Sequence, residues 1–187
     1  MKRKRDEGIK YLTEEEIEAF FAVIKDVRDK ALFRIIYHRG MRASEPGSLQ
    51  LHDWHAETER LTVRRLKGSI TAPFRVTAVE ANALRAWIRK RGTAAGPLFP
   101  SRNHSPISRD RVHELMQEYC QKAGIPPEKS HPHALKHSCG THVLAKTGDV
   151  TVVQDHLGHA DIRSTMEYAK VVNPTRDKAA ALLRDWK

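Results

Sequence analysis

The sequence predicts a mainly α fold with a small antiparallel β-sheet, an α+β domain. Three observations carry this expectation. Apolar residues recur at helical spacing through most of the chain. The period drops to two only between residues 60 and 79. Helix-capping and helix-stopping residues sit where the periodic runs begin and end.

Thr13 stands as an N-cap before Glu14, Glu15 and Glu16, acids that suit the positive end of a helix dipole. Ile17, Phe20, Phe21 and Ile24 then mark one helical face. Leu32, Ile35 and Ile36 mark a second helix, which Gly40 can close. Leu61 and Val63 alternate with polar neighbours, as do Phe74, Val76 and Ala78. Lys67-Gly68-Ser69 starts a loop ended by Pro73, so residues 60–79 are expected to form a hairpin. Leu84, Trp87 and Ile88 return to helical spacing. A loop with Gly96, Pro97, Pro100 and Pro106 follows. Ile107-Ser108-Arg109-Asp110 leads into a helix faced by Val112, Leu115, Met116, Tyr119 and Cys120, stopped by Gly124 and Pro126. Residues 133–146, 150–157 and 161–168 read as shorter helices, and Ala179 to Leu183 as a last one.

The 187 residues suffice for one domain with its own core. Charged residues make up 30% of the chain and hydrophobic ones 40%, a globular balance. Lys and Arg total 33 against 23 Asp and Glu, a net charge of +10 that attracts polyanions. No apolar run approaches the ~20 residues of a membrane span. The basic Met1-Lys2-Arg3-Lys4-Arg5 start lacks the apolar run of a signal peptide. Cys120 and Cys139 form no CxxC motif, which suits a cytoplasmic protein better than a disulfide framework. His133 and His137, at i and i+4, have a spacing that can chelate zinc, but no HExxH motif accompanies them. The expectation is therefore no metal and no cofactor.

Three patches remain. Gly40-Met41-Arg42-Ala43-Ser44-Glu45 lies in the first third, and His133-Ala134-Leu135-Lys136-His137 in the last. Leu157-Gly158-His159 follows, with Tyr168 nine residues beyond His159. Together, in this order, they resemble the signature of the tyrosine recombinases, or phage-integrase family, over roughly residues 10–175. The resemblance implies that family's catalytic-domain fold and a site-specific recombinase. Such an enzyme cleaves double-stranded DNA through a 3′-phosphotyrosyl bond and rejoins it. Residues 1–187 would form one catalytic domain, with a basic segment over 1–10 and no N-terminal DNA-clamping domain.

The resemblance assigns Tyr168 as nucleophile, Arg42 and Lys136 as phosphate clamps, and Lys67, at the hairpin turn, as the acid for the leaving hydroxyl. His133 would accept the tyrosine proton and His159 would donate to a nonbridging oxygen. Glu45 would support Arg42, either as a buried acid or as an ordinary solvated one, and His137 would be structural. This logic agrees with phosphoryl chemistry, where fixed cations stabilise charge developing on the nonbridging oxygens. Arg42, Arg64, Arg65, Lys67 and Arg75 are the candidate DNA contacts. Lys136 is the departure, because most of the family has arginine there. A lysine keeps the charge and loses the bidentate fork. That leaves room for a DNA-binding protein with little cleavage, and the shared tyrosine chemistry leaves room for a type IB topoisomerase-like activity. A homo-oligomer on DNA is expected, with a monomer in its absence also allowed. The tail beyond about residue 171, with Leu182, Leu183 and Trp186, would either dock on a neighbouring protomer or fold back on its own domain.

Overall fold

A computed structural model describes residues 10–64 and 72–172 of the chain. Helix α1 (Glu14–Val23) starts with a capping box: Thr13 Oγ1 accepts the Glu16 N–H, and the Glu16 carboxylate accepts the Thr13 N–H. Helix α2 (Val27–His38) is capped by Asp26, and Gly40 just beyond it takes φ +54°. The sheet follows, with strands β1 (Trp54–His55), β2 (Arg60–Val63) and β3 (Ala72–Arg75) in antiparallel order β1-β2-β3. Helices α3 (Ala78–Arg91), α4 (Arg109–Lys122), α5 (Pro132–Thr147), α6 (Val150–Leu157) and α7 (Arg163–Val172) complete the order. The mainly helical fold with a small sheet is thus as the sequence predicts.

Two details differ. The second strand stops at Arg75 rather than continuing through residue 79. Thr77 and Glu80 exchange hydrogen bonds as a capping box, which turns the chain into α3 at Ala78. Alternation persists in the sequence there, but two reciprocal cap bonds outweigh it. Strand β1 was not expected, because its two residues are too few to show a period; Trp54 pairs with Leu61 and His55 with Arg60. The last-helix expectation at Ala179 to Leu183, and the docking expectation for Leu182, Leu183 and Trp186, fall outside the described residues.

The main core fills the space between α1, α2, α3 and α4. Phe20, Phe33 and Tyr119 meet edge-on there, with centroids 5.2 to 6.3 Å apart. The Tyr119 hydroxyl donates to buried Asp29 at 2.8 Å, so this polar pair is satisfied inside the core. A second, smaller cluster joins Cys139, Leu144, Val153, Leu157 and Tyr168 across α5, α6 and α7. Helix α5 is buried on almost every side and packs against α2, α4, α6 and α7. The sheet is tied back through Arg39, which donates to the Arg75 carbonyl at 3.2 Å and to buried Glu80 at 2.9 Å. The two opposite charges thus pair with each other in the interior.

Two histidines are held neutral by burial. His38 is pushed down to about 3, first by loss of water and then by Arg34, Arg39 and His156. His137 is pushed down to about 4, first by burial and then by His133 and its cationic neighbours. As pH falls below about 6.5, the unfolded chain takes up these two protons and the folded chain does not. Stability should therefore drop by about 2 to 4 kcal/mol between pH 6.5 and 5. Urea midpoints measured at those two pH values check this; equal midpoints would contradict it.

Candidate active site

Gly40 is the point where three distant stretches of sequence meet. Its positive φ turns the chain out of α2. A Cβ there would collide with Leu157. Its carbonyl accepts a hydrogen bond from Lys136 Nζ at 3.0 Å, and Lys136 is buried. The glycine of the first patch, the lysine of the second and the leucine of the third are thus in mutual register.

Just after that turn, Glu45 holds Arg42 twice. Its carboxylate accepts the Arg42 backbone N–H at 2.7 Å and the Arg42 Nη1–H at 3.0 Å. Glu45 is 0% exposed, so it is the buried acid and not the solvated one. The Arg42 side chain keeps 32% of its surface exposed. It faces a cleft of about 670 Å³ lined also by Arg109, His113, His131 and His133. Cationic and imidazole groups converging on one concavity make it a seat for an anion.

Helix α5 begins at this cleft. His131, not His133, is the N-cap, its Nδ1 accepting the Ala134 N–H at 3.1 Å, with Pro132 at the first helical position. His133, Lys136, His137 and Gly140 are spaced three, four and seven residues along, so they share one stripe of the helix. The His133 and His137 rings meet edge-on at 4.3 Å. His133 sits below its ordinary pKa, chiefly through loss of water and then through Lys136, His131 and Arg42, with Glu167 opposing. A depressed pKa keeps this imidazole neutral and able to accept a proton.

The last patch closes the site from above. Helix α6 ends at Gly158, whose left-handed φ of +64° reverses the chain. His159 is then fixed by its backbone: its N–H donates to the Gln154 carbonyl at 2.9 Å, and Gln154 Nε2 donates to the His159 carbonyl at 3.1 Å. The His159 ring lies nearly parallel to that of Tyr168, 15° apart with centroids at 6.4 Å. Tyr168 is 2% exposed. Its ring rests on Gly140 of α5, where a Cβ would come within 2.6 Å of the ring carbon Cζ.

Burial raises the Tyr168 phenol well above its ordinary pKa, Cys139 and Glu167 raise it further, and Arg42 opposes them. A seated Tyr168 therefore stays protonated. It does not line the cleft. Gly140→Ala should unseat this ring. We expect a stability loss of about 1–3 kcal/mol from overpacking, and faster reaction of Tyr168 with a phenol-modifying reagent. An unchanged denaturation midpoint and unchanged reactivity would rule out the glycine seat.

Comparison with known proteins places the chain in a family. The sequence profile described as the phage integrase family matches residues 10–175. The chain belongs to the phage integrase family. It is 30% identical over 168 residues to the type 1 fimbriae regulatory protein FimE of Escherichia coli K12, covering 85% of this chain and 84% of FimE. It is 34% identical over 167 residues to the tyrosine recombinase XerA of Pyrococcus furiosus, covering 87% of this chain but 57% of XerA. A crystal structure of XerA recombinase superposes with a TM-score of 0.79 at 25% identity, over 95% of this chain and 65% of that one. The Tn1549 transposon integrase, solved with transposon right end DNA, shares the fold with a TM-score of 0.83 at 19% identity, over 99% of this chain and 68% of that one.

In this integrase-family domain, Arg42 and His133 line the cleft, Glu45 holds Arg42, Lys136 bonds the Gly40 carbonyl, and His159 stacks on Tyr168 over Gly140. Lys67 and Arg65 lie outside the described residues. Arg64 is engaged away from the cleft, its guanidinium pairing with buried Asp53 at 2.9 and 3.0 Å. Arg75 is exposed on β3, and its carbonyl is tied to Arg39. Two residues, Gly140 and Thr165, escaped the sequence reading, and His137 was expected only as a structural residue. His137 stands between His133 and Tyr168, 5.8 Å from the Tyr168 ring, and its buried Nδ1 has no hydrogen-bond partner. Its place four residues after His133 was the available signal. Gly140 gave none, since a helical glycine shows its purpose only when a ring is found above it. Thr165 gave none either, and its contact is taken up below. Among the described residues, no group of three or more His, Cys, Asp or Glu could hold a metal ion. No described helix is long and apolar enough to cross a membrane.

Proposed function

We propose that this domain is the catalytic unit of a site-specific DNA recombinase, in which Tyr168 attacks a DNA phosphorus atom. The reading is supported by Arg42 and His133 lining one cleft and by His159 stacking on the buried Tyr168 ring, with Lys136 on the same stripe of α5 as His133. A phosphodiester in the cleft would meet Arg42 already oriented by Glu45, so little ordering remains for the encounter. Arg42, Lys136 and His159 would share the charge that develops on the nonbridging oxygens. His133, kept neutral, would take the phenol proton as the ring leaves its seat. Attack forms the Tyr168 oxygen–phosphorus bond and breaks the bond from phosphorus to the 5′ oxygen. That oxygen leaves as a hydroxyl once it gains a proton, which family resemblance assigns to Lys67. The ester conserves bond energy, so rejoining needs no ATP.

Double-stranded DNA is the proposed partner and the cytoplasm the proposed place of action. The net charge of +10 and two free, buried cysteines support both. Assembly into a homo-oligomer on DNA belongs to the same proposal, as does the phosphate-binding role of Arg64, Arg65 and Arg75. For Arg64 that role requires release from Asp53.

The test is a nicked suicide duplex that traps the covalent intermediate, run on a denaturing gel. A protein–DNA adduct is expected. Bound but uncut DNA would favour a binding protein of the same fold, and relaxation of any supercoiled plasmid would favour a topoisomerase-like activity.

A further inference from the structure

We propose that Thr165 is a positioning residue that sets which nitrogen of His159 carries the proton. This rests on the recombinase reading for its catalytic meaning, though not for its geometry. Thr165 is 0% exposed and sits one turn before Tyr168 on α7. Its Oγ1 lies 2.9 Å from His159 Nδ1. A neutral imidazole has one N–H and one lone-pair nitrogen, and the partner of one nitrogen decides the role of the other. A hydroxyl can donate or accept, and the orientation proposed is the one in which Thr165 donates to Nδ1, which leaves the proton on Nε2. His159 can then serve as a hydrogen-bond donor to a phosphate oxygen without first becoming charged.

The backbone of His159 is already clasped by Gln154, so its ring has one main freedom left, rotation about its side-chain bonds. Thr165 removes that freedom. Because Thr165 and Tyr168 are three residues apart on one helix, the same contact keeps the His159 ring aligned over the nucleophile. A residue that touches neither DNA nor the reacting atoms thus adjusts two groups that do.

The decisive measurement is the nitrogen-15 chemical shifts of His159 in the intact protein at a pH where the ring is neutral. The Nε2–H tautomer is expected in the wild type; a predominantly Nδ1–H ring would overturn the proposal whatever the cleavage result. Thr165→Val keeps the buried shape and removes the hydroxyl. It should mix the tautomers and slow adduct formation on the suicide duplex by about tenfold, the scale of one neutral hydrogen bond. DNA affinity should stay unchanged. Thr165→Ser should restore both the tautomer and the rate. In a His159→Ala background, Thr165→Val should have no further effect on cleavage, and an additive loss there would point to a packing role alone. If the wild type itself forms no adduct, the recombinase reading fails while the tautomer result still decides the role of Thr165.

Discussion

Tyr168→Phe should bind DNA as the wild type does and form no covalent adduct. The substitution removes one oxygen and leaves the ring that fills the space over Gly140. The fold should therefore persist, with a denaturation midpoint close to that of the wild type. The chemistry should not, because no other phenol is placed to replace it. Tyr11 packs edge-on against His142, Tyr37 shares a hydrogen bond with the same ring at 2.9 Å, and Tyr119 is committed to Asp29 in the core. Loss of a nucleophile commonly costs about 10⁴-fold or more in rate. Adduct yield on the suicide duplex, compared over several hours, measures this. An adduct that survives in Tyr168→Phe would move the nucleophile elsewhere.

Lys136→Ala is the second large expected effect. Lys136 has a double duty: its ammonium fastens α5 to the Gly40 carbonyl, and it places a positive charge beside His133. Removing it should cost about 100-fold or more in cleavage, the scale of losing one fixed electrostatic donor. DNA binding should fall only a few-fold, since many other cations remain on the chain. Stability should fall by about 1–3 kcal/mol because the buried carbonyl loses its partner. Lys136→Met discards both duties of the ammonium but keeps most of the stem, so it separates their loss from the loss of packing that alanine adds. Cleavage unchanged in both variants would remove Lys136 from the mechanism. The geometry is compatible with a lysine at the position where the family resemblance implies an arginine. One of its three protons goes to the Gly40 carbonyl.

Much of the fold was legible because the core obeys simple periods. Ile17, Phe20, Phe21, Leu32, Ile35 and Ile36 are all buried, as their spacing predicts. The hairpin was legible in its first strand and overextended in its second, where capping by Thr77 and Glu80 took precedence over alternation. Helix α5 was bounded to within one residue at each end, 133–146 against Pro132–Thr147, but its apolar pattern did not show which face carries the site. The reason is physical: a helix buried on nearly all sides has no polar face to contrast with an apolar one. The position of each candidate residue in the site came from motif order, which says nothing about side-chain contacts. Hence the sequence could name Glu45 without deciding whether it is buried, and name His159 without finding Thr165. Gly140 was invisible for the same reason, since its significance lies in what the fold stacks against it.

The stripe formed by His133, Lys136, His137 and Gly140 has a consequence for how this site can change over time. All four positions depend on a single variable, the rotation of α5 about its own axis. A one-residue insertion or deletion upstream within that helix would turn them together by about 100°. The proton acceptor, the clamp and the nucleophile's resting place would then be lost in one step, with no partly working intermediate. Variation in such a domain is thereby channelled towards substitution in place, and length changes are confined to the loops that precede and follow the helix.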